Sequence, residues 1–127
     1  MKVINTTKAP AAIGPYSQAI AANGLLFTSG QIPVDPTTGL VVEGGIESQA
    51  RMVMENLNAV LLEADVDFSA VVKTTCFISS MDDFAAFNSV YSQYFTSDAK
   101  PARSCVAVKT LPKNALCEVE AIAVLGA

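Results

Sequence analysis

Pro101-Ala102-Arg103-Ser104-Cys105-Val106-Ala107-Val108 and, after a link from Lys109 to Ala115, Leu116-Cys117-Glu118-Val119-Glu120-Ala121-Ile122-Ala123 decide how this chain is read. Both halves alternate with the period of two that strands require. Arg103, Cys105, Ala107 and Lys109 fall on one face of the first, and Ser104, Val106 and Val108 on the other. In the second, Cys117, Val119, Ala121 and Ala123 make an apolar face, with Glu118 and Glu120 opposite. Pairing the two strands as a hairpin, apolar faces together, is expected to bring an arginine, a thiol and two carboxylates out on one side of a sheet.

The rest of the chain supplies the partners of that sheet. Lys2 to Asn5 reads as a short edge strand, followed by a breaker-rich loop through Pro10, Gly14-Pro15 and Tyr16. Ser17 to Ala22 and Leu25 to Gln31 flank Asn23-Gly24, the dipeptide of two-residue hairpin turns, so a hairpin is predicted, with Leu25, Phe27, Ser29 and Gln31 on one face. A loop with several turn signals spans 33–45. From Ile46 to Ala64 the set Ile46, Ala50, Val53, Leu57, Val60, Leu61 and Ala64 keeps the 3.6-residue period of an amphipathic helix. Val71 to Ser79 is β-rich and reads as a central strand. Ser80 or Asp82 can cap a second helix carrying the aromatic stripe Phe84, Phe87, Tyr91, Tyr94 and Phe95, which belongs in a core. The expected fold is α+β, a single domain over 1–127, with two helices on one face of a mixed sheet. The other face, apolar apart from Arg103, Cys105, Glu118 and Glu120, suits a subunit interface.

Composition limits the function. Apolar residues are 51% of the 127 and charged ones 16%, yet no apolar run reaches the roughly 18 to 20 residues that cross a bilayer. The net charge of −4 argues against binding a phosphate backbone, so nucleic acid is not an expected partner. Lys100, Lys109 and Lys113 read as ordinary solvated charges. The three cysteines form no C-x-x-C pair, and the odd number suits a reducing compartment. With no histidine, Ser-His-Asp and Cys-His catalysis and mixed zinc sites are excluded. Met1 to Asn5 has no apolar run behind its charge, so a secretory signal is not expected and a cytoplasmic location is. Gly44-Gly45 lacks the lysine and spacing of a phosphate loop.

Pro101 to Cys105 followed by Leu116 to Glu120 resembles the signature of the Rid family, the reactive-intermediate deaminases also known under translation-inhibitor names. Gly14-Pro15-Tyr16-Ser17-Gln18-Ala19, Ser29-Gly30-Gln31-Ile32-Pro33, Val72-Lys73-Thr74-Thr75 and Asp83-Phe84-Ala85 resemble family segments in order and spacing, so the resemblance covers nearly the whole chain. It implies a chorismate-mutase-like fold, a homotrimer with active sites between subunits, and hydrolysis of 2-imino acids such as 2-iminobutanoate and 2-iminopropanoate to 2-keto acids and ammonia. No cofactor and no metal are implied.

Each candidate residue has a plain structural reading beside the chemical one. Arg103 offers a planar fork for a carboxylate, or an internal salt bridge to Glu118 or Glu120; the resemblance implies the substrate carboxylate. Glu118 suits a general base toward water, or an ion pair with Arg103 or Lys109; the resemblance implies the base, with Glu120 structural. Cys105 has a thiol near Arg103 but no histidine to activate it, and the resemblance implies that its backbone holds substrate. Tyr16, Ser29, Gly30 and Asn88 match family positions lining the pocket; alone they read as loop packing, a strand hydroxyl, a bulge and a helix surface residue. Two other classes remain open: an RNA-acting translation inhibitor, and a non-catalytic small-molecule-binding or chaperone-like trimer.

Overall fold

A computed structural model describes residues 1–126. Its eight main elements are β1 (Lys2–Ile4), β2 (Ala19–Ala22), β3 (Leu25–Thr28), α1 (Ile46–Glu63), β4 (Val71–Ile78), α2 (Phe84–Tyr91), β5 (Ala102–Ala107) and β6 (Cys117–Val124). The strands form one mixed sheet in the order β1-β2-β3-β6-β4-β5, with both helices on one face. The α+β class is as expected.

The predicted hairpin stands as β2 and β3, joined at Asn23 and Gly24 with φ of 52° and 75°. α1 runs where the period places it, and Ala50, Val53, Leu57, Val60 and Leu61 are fully buried. Ser80 caps the turn before α2, its hydroxyl accepting from the Asp82 amide. The aromatic stripe packs as a chain of rings, Phe87 on Tyr91 and Tyr91 on Phe95, with Phe68 against Phe95 and Tyr94.

Three expectations are corrected. β5 and β6 are not a hairpin: β5 pairs with β4 in parallel, and β6 lies between β3 and β4, antiparallel to both. A helix, α2, separates β4 from β5, and a strand-helix-strand connection returns its second strand parallel to the first. Consequently Arg103 and Cys105 do not share a face with Glu118 and Glu120. Cys105 stands opposite Cys76, which stands opposite Val119, all on the helix-covered side. Glu118 stands opposite Phe77, and Phe77 opposite Val106, on the open side. Finally, Gln31 does not share a face with Phe27. The β3 to β6 register runs from Phe27↔Ile122 to Gln31↔Val119, so Thr28-Ser29-Gly30 face only Glu120-Ala121. This one-residue bulge turns Gln31 inward, leaving it 5% exposed.

The open sheet face carries Phe27, Val106 and Val124, each more than two-fifths exposed, beside the two carboxylates.

Candidate functional site

The predicted site residues gather in two places. The first is a cavity of about 760 Å³ on the open side, lined by Tyr16, Ser29, Gly30, Lys113 and Glu118 among apolar loop residues. β6 aims Glu118 into it. The carboxylate is half-buried and has no hydrogen-bond partner among the described residues. Burial first, and then the negative charge of Glu120, push its pKa above the ordinary glutamate value. The bulge brings Gly30 beneath it: a Cβ added to Gly30 would lie 2.1 Å from Glu118 Oε2. Ser29 is tied to the loop before β2, its hydroxyl donating to the Ser17 carbonyl and its amide to that of Gln18. Tyr16 closes a rim, with its amide donating to the Gly14 carbonyl at 2.9 Å.

Buried amide side chains shape this cavity. Gln18, 2% exposed, accepts from the Thr6 amide at 2.7 Å and donates to the carbonyls of Thr6 at 3.0 Å and Pro10 at 2.8 Å, pinning one wall. Asn56 donates to the carbonyls of Ile32 and Val34 at 3.0 and 2.9 Å, fixing another. Gln49 accepts from the Leu116 amide at 2.8 Å, just before β6 begins. Residue chemistry alone did not single these three out. The available signal was their phase: Gln49 and Asn56 recur with Val53 and Val60 on the buried stripe of α1.

The second place lies across the sheet. β5 and α2 bring Arg103 and Asn88 together, with a guanidinium N–H donating to Asn88 Oδ1. The guanidinium carbon is 4.8 Å from the centre of the Tyr91 ring and 5.6 Å from that of Phe84, a cation–π seat. The Tyr91 hydroxyl is itself held 2.8 Å from that of Thr74. The salt-bridge reading of Arg103 is excluded, because both glutamates lie on the opposite face. A smaller cavity of about 280 Å³ opens here, lined by Asn88, Tyr91, Lys100 and Arg103 among others. Lys100 donates to the carbonyls of Phe95 and Ser97 at 2.8 and 2.6 Å.

Cys105 lies on the same strand. Burial pushes its thiol pKa up, with Arg103 partly opposing, so it is not an activated nucleophile. Cys76 and Cys117 are buried and pushed up to about 12. The Val108 amide donates to the Ile78 carbonyl, which sets the even-numbered residues of β5 toward β4. In a parallel ladder the backbone groups of Arg103, Cys105 and Ala107 then point away from the sheet, at its edge.

One strand separates β5 from β6, so the two places stand about two strand spacings, roughly 10 Å, apart and on opposite faces. Tyr16, Ser29, Gly30 and Glu118 form one group; Asn88, Arg103 and Cys105 form the other. Among the described residues no cluster of His, Cys, Asp and Glu fits a metal ion. No helix among them is long and apolar enough to cross a membrane.

The chain is similar to known proteins over nearly its whole length. The model of the family described as Endoribonuclease L-PSP matches residues 6–125. A RutC family protein of Synechocystis is 56% identical over 98% of this chain and 97% of its own length. A 2-iminobutanoate/2-iminopropanoate deaminase of Mus musculus is 46% identical over 98% of this chain and 92% of its own. The crystal structure of E. coli TdcF with bound serine superposes with a TM-score of 0.93 at 44% identity, covering 99% of this chain and 100% of that one. With the fold, the motifs and the family model in agreement over nearly its whole length, the chain belongs to the Endoribonuclease L-PSP family, the Rid family that its sequence resembles.

Proposed function

We propose that this protein is a hydrolytic deaminase of small 2-imino acids, working without a cofactor at sites shared between subunits of a homotrimer. The observation that carries the reading is Glu118: a half-buried carboxylate with a raised pKa and, among the described residues, no hydrogen-bond partner, facing a cavity of about 760 Å³. A carboxylate so placed can take a proton from water at neutral pH and return it to a leaving amine. The deaminase name of relatives near 45% identity, and the amino acid bound by TdcF, support the substrate class.

In this mechanism Arg103 binds the substrate carboxylate with its planar fork, held by Asn88 and the Tyr91 and Phe84 rings. The outward backbone groups of Cys105 orient the imine. Glu118 accepts a proton as water adds to C2. That proton passes to the imine nitrogen and completes the carbinolamine; Glu118 then takes the hydroxyl proton and delivers it to the amine, so that the C–N bond breaks, ammonia leaves and the C2 oxygen becomes the keto carbonyl. An imine is already electrophilic, so positioning and one base suffice.

One chain does not hold the whole constellation, since Arg103 and Glu118 lie on opposite faces of its sheet. Seating the open face of one copy, with Phe27, Val106 and Val124, against a neighbour both hides that apolar surface and lets the two groups meet across subunits. The family's endoribonuclease description finds less support in the site, which has no histidine and belongs to a chain of net charge −4.

The test is Glu118→Gln, which keeps the shape and removes the base. With 2-iminobutanoate generated in situ, keto-acid release above the spontaneous rate should fall roughly 100-fold or more, with assembly intact. A wild type that does not exceed the spontaneous rate would overturn the deaminase reading. An active Glu118→Gln would remove Glu118 from the role of base.

A further inference from the structure

We propose that Gly30 is a positioning residue for Glu118: the space left by its missing side chain is the seat in which the carboxylate lies. This rests on Glu118 being the base. A Cβ built on Gly30 would lie 2.1 Å from Glu118 Oε2, 2.7 Å from Cδ and 2.9 Å from Cγ. Carbon atoms in contact need roughly 3.5 to 4.0 Å, so a methyl group there displaces the carboxylate by about an ångström or more. Because Cγ is also too close, turning the terminal carboxylate cannot relieve the clash; the side chain must leave its rotamer.

The backbone itself does not demand glycine at this position. The glycines with positive φ are Gly14, Gly24, Gly39 and Gly44, and Gly30 is not among them. All three nearest atoms to the added Cβ belong to the Glu118 side chain, so the first clash an alanine meets is with the glutamate and not with backbone. The bulge at Thr28-Ser29-Gly30 supplies the close approach, placing this α-carbon under β6 where regular pairing would put a side chain beside Glu118. Glu120 on the same strand, and Lys113 and Tyr16 on the cavity wall, are the other titratable groups around the carboxylate. A displaced Glu118 turns toward solvent, loses its distance to the water it activates and sheds the burial that raises its pKa.

Two measurements decide the matter. The first is a kinetic cycle of wild type, Gly30→Ala, Glu118→Gln and the double variant with 2-iminobutanoate generated in situ. Gly30→Ala should lower kcat about 10- to 100-fold with little change in KM. In the Glu118→Gln background the same change should cost less than about threefold, since the residue it positions is already disabled. Equal losses in both backgrounds would overturn the proposal, because Gly30 would then act through its own backbone. The second is a 13C NMR titration of the Glu118 δ-carbon, which needs no turnover: in Gly30→Ala its midpoint should move down toward the ordinary glutamate value. An unchanged titration would overturn the seat even if activity falls. If wild type shows no deaminase activity, the reaction reading fails while the titration still decides the seat. Should Gly30→Ala not fold, Gly30→Ala with Glu118→Ala must fold, and its failure would show that something other than Glu118 excludes the methyl group.

Discussion

Glu118 ionises at the ordinary glutamate value in the unfolded chain and at a higher one in the fold, because burial and the neighbouring Glu120 charge disfavour its anion. Between those two values the folded state holds the extra proton, so stability declines as pH rises through that window and stays lowered above it. Glu118→Gln takes no charge and should therefore melt higher than wild type at neutral pH. The gain should vanish as pH falls below the ordinary carboxylate range, which thermal scans from about pH 3 to about pH 8 would follow. Wild type melting at or above the variant at neutral pH would remove burial as the cause. In the proposed mechanism the same shift governs turnover, since only the anion is a base. The acid limb of kcat/KM is expected above the ordinary glutamate value, and a limb at that value would show a solvated carboxylate.

Among the elements, α1 carries the largest share of the core. Leu57 is fully buried midway along it, so Leu57→Ala should destabilise by about 2 to 5 kcal/mol and lower the urea midpoint with little change in slope. A cost under about 1 kcal/mol would mean that the helix does not pack as described. This helix was legible because seven apolar positions keep one period, and the β2-β3 hairpin because Asn-Gly names its own turn. The order of β4, β5 and β6 was harder to read. Alternation tells which side chains share a face within a strand, but it does not identify the neighbouring strand. Arg103 and Glu118 are each correct for their own strand and were wrongly combined by an assumed hairpin. The readable clue was α2, whose place between β4 and β5 favours a parallel pair. The bulge left a fainter mark, a glycine at the end of a strand pattern.

At the scale of the whole molecule, the division of Arg103 from Glu118 turns a structural observation into a mixing experiment. Arg103→Ala and Glu118→Gln should each be inactive alone. Unfolded and refolded together in equal amounts, they should regain about one quarter of the wild-type sites, since random assembly places an intact Arg103 beside an intact Glu118 at that frequency. No recovery from mixed, correctly assembled protein would mean that both groups serve within one chain, against the face assignment. The resemblance named the residues of both groups, but no residue-level pattern could show that they lie apart, because that depends on which strand came between.

The edge position of β5 bears on how the chain stays dispersed. Ala102–Ala107 offers three successive odd-numbered residues with outward amides and carbonyls, one charge among six side chains and no proline within the strand. Such an edge is a template for any extended segment that meets it, including another copy of itself. In the proposed mechanism the outward backbone groups of Cys105 hold the imine, so pairing along this edge would occupy the groups that the substrate needs. The mutual repulsion of chains carrying a net charge of −4 opposes such encounters.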